Sequence, residues 1–200
     1  MIGMLRKIIF CCLLTIFSCS TFAQIEVKVG INAERTDNYT NNTSRFSPSV
    51  GASYDIQLSK HWKLRPSLML SEIGEKLVKK EEYDIAGGYV YLYGIEIPAD
   101  FVFSFSPEKE NTFYLNAGPY YRYNLWGWEK IKYNKNENLS MSVFNDLGGY
   151  YHSNFGLSIG LGYVLKNFDF NLNFERSLTY IDKADNHYSQ AYRLSVGYRF

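Results

Sequence analysis

The chain has 200 residues, 18% of them aromatic, with 21 Lys and Arg against 20 Asp and Glu. That balance gives no electrostatic reason to expect nucleic acid as a partner. All 3 cysteines (Cys11, Cys12, Cys19) precede Gln24, which excludes disulfides, thiolate chemistry and thiolate metal ligation from everything after it.

In chain order, Arg6 and Lys7 come first, followed by an apolar run from Ile8 to Phe17 and a small-x-small site at Thr21-Phe22-Ala23. This is the layout of a secretory signal peptide over residues 1–23, cut after Ala23. Ile16-Phe17-Ser18-Cys19 loosely resembles a lipoprotein cleavage box, but the Thr21-x-Ala23 site is better formed. Residues 24–200 suit one domain. Nothing in them is apolar for long enough to cross a bilayer as a helix, so any membrane crossing is by strands.

Strict alternation then recurs eight times. In the first segment Ile25, Val27, Val29, Ile31 and Ala33 oppose Glu26, Lys28, Gly30, Asn32 and Glu34. The next six run from Phe46 to Leu58, Trp62 to Ile73, Tyr89 to Phe105, Thr112 to Leu125, Tyr151 to Leu165 and Phe168 to Tyr180. In the last, Tyr192, Leu194, Val196, Tyr198 and Phe200 oppose Arg193, Ser195, Gly197 and Arg199. The fourth is unbroken from Tyr89 to Phe105 on its odd positions, which is long for a soluble hairpin. Short connections (Ser59 to His61, Ser106 to Asn111, Lys166 to Asn167) alternate with longer ones (Arg35 to Arg45, Gly74 to Gly88, Trp126 to Tyr150, Ile181 to His187). A meander then has short turns at one end and long loops at the other, the asymmetry of an outer-membrane barrel.

Alternation alone does not separate a membrane barrel from a lipocalin-like one; the polar face does. It carries Gly30, Gly51, Gly94, Gly118, Gly156, Gly160, Gly162 and Gly197 with Ser47, Ser49, Ser53 and Ser67. Small residues suit a crowded eight-strand interior, and the large apolar side chains of the other face suit lipid. Aromatics gather near both strand ends, as interfacial belts require. Near the long loops lie Tyr89, Tyr91, Tyr121, Tyr123, Tyr151 and Tyr188; near the short turns lie Trp62, Phe105, Phe113, Tyr163, Phe168, Tyr198 and Phe200. The expected fold is an all-β, eight-stranded, antiparallel up-and-down transmembrane β-barrel in the cell outer membrane. Its partners are outer-membrane lipid and, through the terminal Tyr198 and Phe200 signature, the barrel assembly machinery.

With the polar face inward, the lumen holds six acids (Glu26, Asp55, Glu96, Asp100, Asp169, Glu175) and six bases (Lys28, Lys63, Arg65, Arg122, Arg193, Arg199). Charges in a narrow lumen must be paired, so a plug of ion pairs is expected, with a narrow charged pore as the alternative. Pro98, also inward, removes a ladder donor and predicts a local bulge.

No zinc spacing, phosphate loop or nucleophile elbow is present, and no cofactor is implied. His61 falls in a short turn. His152 opens the sixth segment facing inward while Ser153 faces outward, which separates base from nucleophile. His187, near Asp182 and Asp185, falls in a solvated external loop and is the basis of a third alternative, a loop-based hydrolase. The segment Asp37-Asn38-Tyr39-Thr40-Asn41-Asn42-Thr43 reads as an exposed tip. Trp126 and Trp128, in "NLWGWEKIKYNKNEN", read as an external loop that anchors at the interface or binds a glycan or partner protein.

Three stretches resemble one family. "FAQ" ends the leader, and "YGIEIPADFVFSF" is followed by "TFYLNAGPYYRY"; "GLSIGLGYVL", "FDFNLNFERSLTYI" and "YRLSVGYRF" complete the chain. Together they are similar to the small outer-membrane β-barrel proteins of Bacteroidetes often called PorT-like, although Ala99-Asp100 follows Ile97-Pro98 where that family usually has aliphatic residues. The resemblance implies the barrel and its location and carries no active site. One namesake is linked to protein secretion, so envelope or secretion proteins enter as partners, while the namesake's role is not carried over. The function expected is non-enzymatic: a structural, binding or accessory component of the envelope.

Overall fold

The computed structural model describes residues 24–36, 43–77, 85–133, 138–144, 149–183 and 186–200. The leader and its cut site, the tip at 37–42, and Asp185 lie outside the described residues. Ten strands run in order: β1 (Gln24–Thr36), β2 (Thr43–Gln57), β3 (Trp62–Ile73), β4 (Glu75–Leu77), β5 (Ile85–Ser104), β6 (Asn111–Tyr133), β7 (Asn138–Ser142), β8 (Ser153–Leu165), β9 (Phe168–Ser177) and β10 (Ser189–Arg199). Eight of them close a ring, β1-β2-β3-β5-β6-β8-β9-β10, each antiparallel to its neighbours. The seam runs from Glu26↔Arg199 to Thr36↔Ser189 between β1 and β10. Closure leaves the ring no edge, the condition on which strands can cross hydrocarbon without orphaned peptide groups.

Burial is inverted relative to a soluble barrel. Ile159 is 62% exposed and Leu194 57%, whereas Glu96 is 0% and Asp169 1% exposed. The alternation read from the sequence sets this facing on every ring strand: apolar residues form the outer wall and polar ones the lumen. Aliphatic side chains left outside need another apolar phase against them, and a bilayer supplies it.

Two strands outrun their expected lengths. β5 has 20 residues and β6 has 23. β4 pairs with both β2 and β5, and β7 pairs with β6 from Trp128↔Ser142 to Lys132↔Asn138. The two long connections on this side therefore begin as a hydrogen-bonded extension of the wall. Trp126 and Trp128 are not in a loop: both are exposed on β6, opposite Tyr93 and Tyr91. The ladder outlasts the apolar pattern, which stops where the lipid would.

The bulge expected at Pro98 is absent. Pro98↔Tyr120 and Phe101↔Ala117 keep one register, as do Pro66↔Ala99 and Met69↔Glu96 on the other side. β6 approaches β5 closely beside Pro98, since a Cβ on Gly118 would collide with the Ala99 carbonyl. The register instead slips between Gly94↔Asn124 and Tyr93↔Trp126, leaving Leu125 as the extra residue. Leu125 and Trp126 consequently both face out.

Glycines set what the lumen can hold. Tyr114 pairs directly with Gly162, and Tyr120 with Gly156. A Cβ on either glycine would collide with the hydroxyl end of the partner's ring, so each tyrosine occupies space that a glycine leaves free. Both tyrosines are almost wholly buried. Apolar clusters lie toward the two ends: Ile73, Val90, Leu92 and Val143 with Phe144 and Tyr150 toward the long connections, and Val102, Tyr114 and Val164 toward the short turns.

Gly162→Val overpacks the Tyr114 seat, a defect worth about 1–3 kcal/mol or more. The expected result, read by heat-modifiable gel mobility after refolding into detergent, is a sharply reduced fraction of the fast-migrating folded form. An unchanged fraction would show that Tyr114 does not occupy that seat.

Candidate functional site: the charged lumen

Inward positions on all eight ring strands deliver the polar groups, stacked in three levels. Nearest the short turns, Arg65 of β3 grips Asp55 of β2 with two parallel bonds, Nε to Oδ1 at 2.6 Å and Nη2 to Oδ2 at 3.1 Å. Its Nη1 reaches Asp169 of β9 at 3.1 Å and the Tyr114 hydroxyl at 3.3 Å. Tyr114 in turn donates to Asp169 at 2.5 Å. Arg199 of β10 closes on Asp169 and lies 3.5 Å from Glu26, while Lys28 pairs with Glu26 at 3.5 Å and Lys63 with Asp55 at 3.3 Å.

The middle level is mostly neutral. Asp100 accepts from Ser158 Oγ at 2.6 Å and Asn116 Nδ2 at 3.2 Å. Asn116 also donates to Asn173 at 2.9 Å and accepts from Asn171 at 3.0 Å. This carboxylate is thus held by amide and hydroxyl donors, which satisfy it at lower desolvation cost than a second buried ion would.

The level nearest the long connections centres on two arginines. Arg122 of β6 meets Glu96 of β5 (2.6 Å), Glu34 of β1 (3.2 Å) and Glu175 of β9 (3.2 Å). Arg193 of β10 meets Glu96 and Glu175 at 2.6 and 2.9 Å, and its Nε donates to Asn32 at 2.8 Å. Tyr120 covers the Arg122 guanidinium, 5.4 Å from ring centroid to Cζ. Five charges from five strands thus fill one cross-section of the barrel.

All twelve charged residues expected in the lumen are there, and the structure gathers them into these contacts. Sequence reasoning left out Glu34, the amide and hydroxyl partners of Asp100 and the two tyrosines. Their inward parity was visible, since Glu34 alternates with Glu26 and Tyr114 with Tyr120; what was not visible was which residue each would meet. At the short-turn mouth a cavity of about 900 Å³ opens, and Lys63, Arg65, Tyr114 and Arg199 line it.

The histidines fall differently from expectation. His61 sits in the short turn, stacked on Phe103 at 5.7 Å. His152 does not face inward. The chain has not yet joined the β8 ladder there, and the ring packs outside against Phe144 (3.9 Å) and Tyr123 (5.7 Å). Asp182 and His187 are not solvated: both are buried, and Asp182 accepts from the His187 backbone at 3.2 Å and contacts Nδ1 at 2.9 Å. With Ile181 N donating to His187 O at 2.9 Å, this clasp fastens the β9–β10 connection. Among the described residues, no three His, Cys, Asp or Glu side chains are grouped to hold a metal ion.

Residues 18–183 match the family model described as the outer membrane protein beta-barrel domain. The chain belongs to that family. Its place is accordingly the outer membrane. Among solved structures, the outer membrane protein OprG from Pseudomonas aeruginosa shares the fold, with TM-score 0.51 and 11% identity over 89% of this chain and 95% of that one. Ail, the attachment invasion locus protein of Yersinia pestis, aligns at TM-score 0.46 and 17% identity over 89% and 97%. The outer membrane enzyme PagL aligns at 0.46 and 14% over 86% and 98%. No curated protein matches the sequence.

Glu96 neutralises Arg122 and Arg193 at once, so Glu96→Ala leaves two buried guanidiniums sharing Glu34 and Glu175. Breaking a buried pair costs about 3–5 kcal/mol. Urea unfolding in lipid vesicles, followed by tryptophan fluorescence, is expected to show a midpoint lowered accordingly at unchanged slope. A midpoint equal to wild type would mean that water, not Glu96, compensates these arginines.

Proposed function

We propose that this barrel is closed and non-enzymatic, a structural or binding and accessory component of the cell envelope rather than a solute channel. The observation carrying the proposal is the filled cross-section at Arg122 and Arg193. There each guanidinium has carboxylates on more than one side, drawn from three strands around Arg122 and two around Arg193. An ion would have to break several buried pairs in sequence to pass, each costing kilocalories. The twelve lumen charges are, on this proposal, the internal framework of the barrel and not a selectivity filter.

The same proposal extends to biogenesis and partners. Residues 1–23 act as a cleaved signal peptide, and the exposed Tyr198 and Phe200 serve as the signature read by the barrel assembly machinery. The strands similar to PorT-like proteins of Bacteroidetes support placing the chain near that group, with envelope or secretion proteins as partners. The extension built from β4, β5, β6 and β7 is the surface best formed to meet one, because it is hydrogen-bonded into the wall and rises above the aromatic belt. Catalysis has less support: the Asp182–His187 pair is buried as a loop clasp.

Planar-bilayer recording tests the proposal. Folded wild-type protein is expected to give no current above the bare membrane, whereas Arg122→Ala/Arg193→Ala, verified as folded by gel mobility, admits water and produces small discrete openings. Steady conductance from wild-type protein would overturn the closed barrel in favour of the narrow channel.

A further inference from the structure

Charge on the outer wall is distributed unevenly. At the long-connection end of the flank formed by β2 to β6, Lys76, Tyr89 and Lys130 stand in one row across three strands, as Lys76↔Tyr89 and Tyr89↔Lys130. Lys132 is the next outward position along β6. All three lysines are exposed. One row down, the Arg45 guanidinium lies 4.2 Å from the Tyr91 ring centroid, and Lys130 Nζ lies 5.5 Å from the same ring. Below that, Tyr93 packs on Trp126 at 5.9 Å and on Trp128 at 5.8 Å. Among the described residues, Glu72 is the outward carboxylate on this flank, and Arg45 holds it at 2.5 Å. Within the described residues the three lysines therefore give this flank a positive edge. The short-turn rim has no such bias, since Lys60, Lys109 and Lys166 mix there with Glu108 and Glu110.

Directly beneath the aromatic rows, the wall is indented. A groove of about 520 Å³ runs from β1 across β2, β3 and β5 to β6, with Val29, Pro48, Val50, Leu70 and Leu125 along its outward lining and Tyr93, Trp126 and the Arg45-paired Glu72 at its upper edge. The slip at Leu125, which turns both Leu125 and Trp126 outward, shapes its upper edge.

The heights fit a lipid. From Phe103, which pairs with Trp62 of the lower belt, to Tyr93, β5 climbs about 25 Å at the usual strand tilt, the height of an apolar band. Tyr93 then marks the outer interface, and the lysine row stands about 10 Å above it, at headgroup level. The groove lies at acyl-chain depth. Lys76 and Lys130 are two strands apart, about 10 Å, wider than one phosphodiester covers but suited to two phosphates carried on a disaccharide.

We propose that this flank seats a phosphorylated glycolipid of the outer leaflet, of lipid A type, with acyl chains along the groove and phosphates on Lys76, Lys130 and Lys132. Charge-assisted bonds to phosphate supply the selectivity, and the aromatic rows fix the depth. The proposal is independent of what the lumen does.

Native mass spectrometry and a fluorescence titration of the refolded full chain in neutral detergent test it. The probes are diphosphoryl lipid A, the same lipid with both phosphates removed, phosphatidylglycerol and phosphatidylethanolamine. Diphosphoryl lipid A is expected to bind at one site, at least tenfold tighter than the other three. Lys76→Gln/Lys130→Gln/Lys132→Gln, confirmed as folded by gel mobility, is expected to lose that preference, and Val50→Trp, which fills the groove with all cations intact, to weaken binding several-fold. Equal affinity for the dephosphorylated lipid, or an unchanged affinity in the triple variant, would overturn the proposal. So would phosphatidylglycerol binding as tightly as diphosphoryl lipid A, which would make the occupant a phospholipid, and so would an unaffected Val50→Trp.

Discussion

One guanidinium, that of Arg122, touches carboxylates from three different strands, and the rest of the barrel is arranged so that it can. A charge on the wall of an eight-strand barrel has two places to go. Facing lipid it would be uncompensated in hydrocarbon; facing in, it enters a space only as wide as the side chains that fill it. The second is tolerable only if each charge meets a counter-charge or, as Asp100 does, enough hydrogen-bond donors. Arg122, Arg193, Glu34, Glu96 and Glu175 meet that condition together, as do Arg65, Arg199, Asp55 and Asp169 at the other end.

The pairing of charges has consequences for the wall. Because most inward positions are committed to polar or small residues, with apolar side chains such as Val90 and Val102 gathered toward the two ends, the outward ones are free to be apolar, and the barrel takes its inverted burial from that. Bulk inside has to be matched by absence: Tyr114 and Tyr120 fit only because their direct partners are Gly162 and Gly156. The outer surface then changes character with height, from aliphatic band to aromatic rows to lysines. On one flank that gradient coincides with a groove.

Much of this was legible in the residue order. Period-two alternation fixes both the strands and which side each residue faces, and the twelve charged side chains follow from parity alone. What stayed hidden depends on register. That Tyr114 lies over Gly162, or Arg122 between three glutamates, requires knowing which residues are opposite, and a one-residue slip would change every partner. The extension beyond the belt was hidden for another reason: from Glu129 to Lys132 both faces are polar or mixed, so the hydropathy signal fades while the ladder continues. Pro98 misled because composition marks where a donor is missing, whereas the ladder decides where the extra residue goes, and here it goes to Leu125. His152 misled because parity holds only for residues already in the ladder.

The measurement that tests the account most directly is a spin-label scan of β8. Residues from Gln24 onward contain no cysteine, so single cysteines introduced at 157, 158, 159 and 161 can each be labelled alone, and collisional relaxation can be read with oxygen as the lipid-soluble agent and a nickel chelate as the water-soluble one. The account predicts alternation along the strand: labels at 157, 159 and 161 respond to oxygen and not to nickel, while that at 158 is immobilised and responds to neither. The opposite phase, or a nickel response at 158, would mean that the polar face is outside or the lumen open, and would contradict it.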